Sequence, residues 1–200
     1  MKFDRYINFI LESLDSNKKY LILLPGGFKP PTLGHYNLIK GYSDMPQVER
    51  VIVLVGPKER EGITREQSLE ILSLYGVDKL PKVSVERSIS NNPMQAAFDF
   101  LIDPRMKIDS DLIVGIGASD KGGDEERSYR FVNYFDKNPE KLPSGVHVGV
   151  PPIIHASQAG SEDISATTLR QAIADNNKQL ISQLIPSAVD VNKFISILKR

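Results

Sequence analysis

The run Leu24, Pro25, Gly26, Gly27, Phe28, Lys29, Pro30, Pro31, Thr32, Leu33, Gly34, His35 gathers the residue types that let a backbone receive a phosphate. Glycines at 26 and 27 remove the Cβ barrier, prolines at 30 and 31 stiffen the turn, and a helix starting near Leu33 offers its first unpaired amides. Those amides sit at the positive end of the helix dipole, which favours an anion. Thr32 can donate a hydroxyl, and His35 can present an imidazole at the same mouth. A second run, Ile164, Ser165, Ala166, Thr167, Thr168, Leu169, Arg170, is another anion-binding helix start. Ser165 is a natural N-cap, and Thr167 and Arg170, three residues apart, share one helix face. Two hydroxyls and a guanidinium suited to bidentate contact can hold the charged oxygens of a triphosphate.

The apolar pattern says which elements must position these residues. Stretches of four to six apolar residues alternate with helix-period stretches, as in stacked βαβ units around a parallel sheet. Strands are expected at 20–24, 51–55, 83–86, 111–117 and 146–150. The first is apolar throughout with no alternation, which implies cover on both faces. Helices are expected at 33–41, from Thr64 to about 75, along Met94, Ala97, Phe98 and Leu101, and at 129–135, 166–175, 178–184 and 189–198. Thr64 and Gln67 make a capping-box pattern, and Gly76 ends their helix. Phe3, Ile7, Ile10, Leu11 and Leu14 outline a leading helix over 3–15. In this frame the glycine run follows the first strand, at the carboxyl edge where open α/β sheets bind ligands. Two long irregular stretches, 118–127 and 151–163, are candidate binding loops or lids, the second closing over a bound triphosphate.

Together the two motifs resemble a known family. Gly26 to His35 is similar to the glycine, x, phenylalanine and H/T-x-G-H signature of the cytidylyltransferase-like nucleotidyltransferase superfamily, and Ile164 to Arg170 is similar to its ISSTxxR motif. The resemblance spans about residues 20–185 and is nearest to the nicotinamide- and nicotinate-mononucleotide adenylyltransferases; the motif set is also similar to that of members carried by bacterial viruses. It implies one α/β Rossmann-like domain over 1–200, with a five-stranded parallel sheet and helices on both faces. A leading helix (1–18), a catalytic core (20–185) and a C-terminal helix (186–200) would compose it. It further implies an enzyme that moves a nucleoside monophosphate from a nucleoside triphosphate to a phosphate-bearing acceptor such as a mononucleotide, releasing pyrophosphate, with Mg²⁺ carried on the triphosphate.

Carried over residue by residue, Gly26, Gly27, Phe28 and Gly34 would contact the nucleotide, and His35 would stabilise the transition state at the α-phosphate. Ser165, Thr167 and Arg170 would grip the β and γ phosphates, Ile164 beside them would contact the nucleotide, and Lys29 and Thr32 would complete the catalytic set. Gly117, Ala118, Ser119 and Asp120 resemble the Gly-Ala-Asp or Gly-Ser-Asp element that touches ribose and acceptor. Lys58 and Arg60 stand where relatives bind the acceptor's phosphate. Thr32, in place of a first histidine, and the 117–120 element favour AMP as the transferred group. Cytidylyl transfer to a sugar or alcohol phosphate is the alternative. The departures at Lys29, Thr32 and Ala166 keep open a third reading, a nucleotide-binding or structural protein on the same fold without turnover.

Composition bounds these readings. With 25 Lys plus Arg against 25 Asp plus Glu there is no bulk field to attract polymeric nucleic acid or an anionic membrane, so phosphate affinity has to be local. No cysteine is present, which excludes disulfides and thiolate metal sites. No apolar run reaches the length of a membrane span. The expected partners are ATP or another nucleoside triphosphate and a small phosphomonoester, with no membrane and an open oligomeric state. The expected location is the cytoplasm, a host's if the chain is viral. His147 is expected within the fifth strand, His155 in a loop, and Asp124 to Arg127 on a solvated face.

Overall fold

The computed structural model describes residues 18–103, 106, 108–119, 124–154 and 165–199. The expected leading helix lies outside them, as do Asp120, His155, Ile164 and most of the 151–163 loop. Five strands, β1 (Lys19–Gly26), β2 (Val48–Val55), β3 (Val83–Arg87), β4 (Leu112–Ile116) and β5 (His147–Val148), form one parallel sheet in the order β3-β2-β1-β4-β5. Between them run α1 (Leu33–Asp44), α2 (Arg65–Leu74), α3 (Pro93–Ile102) and α4 (Asp124–Lys137). Three helices end the described chain: α5 (Ala166–Ala174), α6 (Lys178–Leu184) and α7 (Val191–Leu198).

β1 explains the layering. Its successive side chains point to opposite faces, and both faces are covered. Ile22 and Leu24 join a core with α1, α2, α5, α6 and α7, while Leu21 and Leu23 join a second core with α3 and α4. Full burial of each such side chain stabilises by about 1.5–3 kcal/mol before chain entropy is counted, which is why the strand carries an unbroken apolar run. The β3-β2-β1 progression reverses between β1 and β4, and the carboxyl ends of those two strands, Gly26 and Ile116, frame the crevice where such sheets bind ligands.

Two expectations need correction. The irregular stretch 118–127 is shorter than expected, because α4 begins at Asp124; acidic residues in that first turn suit the helix dipole, and Phe131 and Phe135 bury against the second core. The fifth strand is only His147–Val148, paired with Ile113 and Val114. Pro151 and Pro152 follow, and without N–H groups they cannot extend a ladder. His147 is exposed on that edge strand. Among the described residues no helix is long and apolar enough to cross a membrane.

Candidate active site

The T-x-G-H spacing turns out to be a helix cap. Thr32 is the N-cap of α1 and His35 its third residue: the Thr32 hydroxyl accepts from the His35 amide at 3.4 Å, and His35 Nδ1 accepts the Thr32 backbone N–H at 3.0 Å. That is a capping box with imidazole in the role usually given to Glu or Gln. Because Nδ1 accepts, the proton of the neutral ring sits on Nε2, and no described residue takes a hydrogen bond from it. The ring packs against Phe28, with centroids 5.0 Å apart and tilted at 59°. Desolvation pushes the imidazole down to about 4, so at neutral pH it is an uncharged N–H donor. The imidazole therefore brings a dipole to the site and no charge. Thr32, expected at the mouth, is buried and spends its hydroxyl on His35.

The loop between Gly26 and Thr32 is held from far away. Phe28 takes a left-handed backbone (φ 53°), and its ring lies where a side chain on Gly26 would reach within 3.0 Å of it. The Lys29 carbonyl accepts from Arg170 Nη1 at 2.8 Å, and the Pro31 carbonyl accepts from the buried Tyr75 hydroxyl at 2.9 Å. Lys29 itself is buried, with Nζ 3.4 Å from the Gly56 carbonyl, and desolvation aided by the nearby Arg65 charge lowers it to about 8, against an opposing pull from Glu66. Gly56, at the end of β2, donates its amide to the Gly26 carbonyl at 2.9 Å, closing the rim.

The second motif meets the first through Arg170. Ser165 caps α5, its hydroxyl accepting the Thr168 amide at 3.0 Å. Arg170 is buried at 7% exposure; beyond the Lys29 carbonyl, Nη2 donates to Thr167 Oγ1 at 3.0 Å, and Glu61 Oε2 stands 2.7 Å from Nε. So Lys29, Thr32, His35, Thr167 and Arg170 occupy one neighbourhood, assembled from elements 141 residues apart in sequence.

The β4 end joins from the other side. Gly117 donates to the Leu23 carbonyl at 2.9 Å, and a Cβ there would come within 2.6 Å of Leu24 and 2.7 Å of Ile22 and Tyr42, so only glycine fits. The buried Tyr42 hydroxyl of α1 accepts the Ala118 amide at 2.9 Å and lies 3.0 Å from the Ala118 carbonyl and 2.8 Å from that of Pro152, both acceptors for its proton. Ser119 is buried and bridges to Ile154. A cavity of about 130 Å³ opens between the ends of β1 and β4 and the start of α1, lined by Gly26, Phe28, His35, Gly117 and Arg127 among others, while Lys29, Thr32, Thr167 and Arg170 do not line it.

Lys58 and Arg60 are not brought into this cavity; both are exposed on the loop after β2, where Arg60 lies 3.8 Å from Glu61. Sequence reasoning missed Glu61, Arg65, Tyr42, Tyr75 and Arg127. Only Arg65 left a local trace: a cation in the first turn of α2 runs against the helix dipole. Its Nε is buried without a hydrogen-bond partner.

No family model matches the sequence, and no curated protein matches it. Solved structures do. The nicotinic acid mononucleotide adenylyltransferase of Plasmodium falciparum, complexed with NaAD, aligns with TM-score 0.53 and 13% identity over 90% of this chain and 95% of that one. The same enzyme complexed with APC aligns with TM-score 0.48 and 15% identity over 90% and 98%. On the first of these alignments and the sheet order above, the chain has a Rossmann-like α/β fold similar to that of the Plasmodium falciparum nicotinic acid mononucleotide adenylyltransferase.

Proposed function

We propose that the chain transfers a nucleoside monophosphate, AMP by preference, from a magnesium-bound nucleoside triphosphate to a small phosphomonoester, releasing pyrophosphate. The observation that carries this reading is the 2.8 Å bond from Arg170 to the Lys29 carbonyl, which locks the two anion-binding motifs together beside His35. The aligned parasite enzyme's complex with NaAD supports a mononucleotide as acceptor.

In this mechanism an oxygen of the acceptor phosphate attacks the α-phosphorus, the bond from α-phosphorus to the bridging oxygen breaks, and its electron pair leaves on pyrophosphate. No proton has to move and no covalent enzyme intermediate forms. Positioning and charge stabilisation do the rest. His35 Nε2–H donates to the non-bridging oxygens of the α-phosphate, where charge develops. Lys29, Arg170, Ser165 and Thr167 hold the β and γ phosphates with the α5 amides, and the Gly26, Gly27, Phe28 and Gly34 backbone approaches the nucleotide. Gly117 and Ser119 line the ribose side. Ile164 and Asp120, outside the described residues, are assigned to the nucleotide on motif alone. Magnesium would come with the triphosphate as part of the substrate and would offset part of its charge; among the described residues no cluster of three or more His, Cys, Asp or Glu stands ready to hold it. Lys58 and Arg60 reach acceptor phosphate only if their exposed loop folds inward, so they are the weakest members of the set.

The test is a panel of the four nucleoside triphosphates with magnesium against mononucleotide, sugar-phosphate and alcohol-phosphate acceptors, reading pyrophosphate and product mass. Acceptor-dependent release with ATP is expected. Release with CTP alone moves the assignment to cytidylyl transfer, and ATP binding with no release from any acceptor moves it to a nucleotide-binding protein.

A further inference from the structure

Arg170 is a buried cation, and among the described residues the carboxylate beside it comes from the surface. Its side chain is 6% exposed, while that of Glu61, whose Oε2 lies 2.7 Å from Nε, is 59% exposed. A buried charge left alone is costly, so some anion has to stand beside the guanidinium whenever no ligand is bound. Glu61 fills that place badly: close as it is, Nε has no aligned hydrogen-bond acceptor. A buried donor left unsatisfied in this way favours exchange for an oxygen that can align with it.

The backbone delivers this carboxylate by design of the turn. Arg60 and Ile63 exchange hydrogen bonds of 3.2 and 3.0 Å across Glu61 and Gly62, whose φ angles of 51° and 77° are both left-handed. Glycine takes that conformation freely, whereas glutamate is rarely found in it. The buried Ile63 and the α2 cap at Thr64 anchor one end of the turn, so the carboxylate returns to the same spot after displacement.

We propose that Glu61 is an internal competitor for the triphosphate site: it stands in for a phosphate oxygen on Arg170, yields to the incoming β and γ phosphates, and speeds pyrophosphate release by repelling it and re-pairing with Arg170. The proposal rests on the reading above that Arg170 holds those phosphates. It makes Glu61 selective, opposing ligands that reach Arg170 and leaving a nucleoside monophosphate untouched.

Calorimetry on the full chain with magnesium, comparing wild type with Glu61→Gln, tests this. The substitution keeps the shape of the turn and lies on the surface, so a matching thermal melt is expected. Removing one charge of a close pair should tighten pyrophosphate and ATP by about twofold to fivefold, the range of the interaction of a single half-exposed ion pair, with AMP unchanged. Unchanged or weaker ATP and pyrophosphate binding would overturn the proposal, as would equal tightening of AMP, which would mean a diffuse field. Arg170→Lys, which keeps a cation in place, separates the two levels. ATP binding weakened while AMP binding holds upholds the reading of Arg170; ATP binding equal to wild type removes that reading and the competitor role with it.

Discussion

The protein builds the same helix cap twice and uses it differently. At α1, Thr32 and His35 exchange hydrogen bonds across the N-terminus; at α2, Thr64 and Gln67 do the same, with Gln67 Oε1 accepting the Thr64 N–H at 2.8 Å and Thr64 Oγ1 accepting the Gln67 amide at 3.2 Å. The near ends of the two side chains do equal structural work. Their far ends diverge: the Gln67 amide donates to the Ile197 carbonyl at 3.1 Å and ties α7 to the fold, whereas no described residue accepts from His35 Nε2–H, and its ring lines the cavity. On the proposed function, one cap is a scaffold and the other aims a donor, and the side chain at the third helical position makes the difference.

The largest expected effect separates the two uses. His35→Gln keeps an amide able to close the cap, so the melting temperature should change little, while turnover falls about a hundredfold, on the order of 3 kcal/mol, because an amide that caps through its oxygen holds its N–H away from the point where the imidazole Nε2–H is proposed to meet the α-phosphate. Gln67→Ala should show the reverse: turnover within about twofold of wild type and stability lower by about 1 kcal/mol in urea titrations. A hundredfold loss of turnover in Gln67→Ala would erase the distinction.

The comparison also has a pH form. His35 titrates near 4 in the folded chain against an ordinary value of 6.5, so the unfolded state takes up its proton first as pH falls. Its contribution to stability is complete above about pH 6.5 and declines toward pH 4, and His35→Gln should flatten that slope in urea unfolding between those values. On the alkaline side Lys29, lowered to about 8, loses its charge and should weaken triphosphate binding above that pH, which calorimetry from pH 7 to 9 would register.

Smaller effects concern the residues that hold the site. Tyr42→Phe leaves the buried Ala118 amide without its partner and should cost about 1–3 kcal/mol by thermal or urea unfolding. Thr32→Ala and Thr64→Ala should each cost about 1 kcal/mol, the ordinary value of an N-cap. Only the first should also slow turnover, because it frees the imidazole to rotate.

Much of the fold could be read from local pattern. The unbroken apolar run of β1, the Thr64 and Gln67 spacing and the Ser165 cap each follow from contacts within a few residues, and each is where it was expected. The misplaced α4 start and the short β5 are boundary errors of the kind neighbouring acids and prolines create. Inside the candidate site the motifs themselves were legible, but what joins them was not. The bonds from Arg170 to Lys29 and from Tyr42 to Pro152 cross 141 and 110 residues, and no local spacing encodes them. Nor does a sequence show that His35 is desolvated and therefore neutral. The zero net charge fits the proposed site, which would rely on oriented dipoles and the buried Lys29 and Arg170 more than on a basic surface.

The central claim is that the cap at α1 aims a neutral donor at a phosphate under transfer. Pyrophosphate release from magnesium-ATP in the presence of the best phosphomonoester acceptor, measured for wild type, His35→Gln and Gln67→Ala at equal folded concentration, addresses it directly. The expected result is acceptor-dependent release by wild type and Gln67→Ala, reduced about a hundredfold in His35→Gln. Equal release by all three proteins, or none by the wild type while ATP still binds, would contradict it.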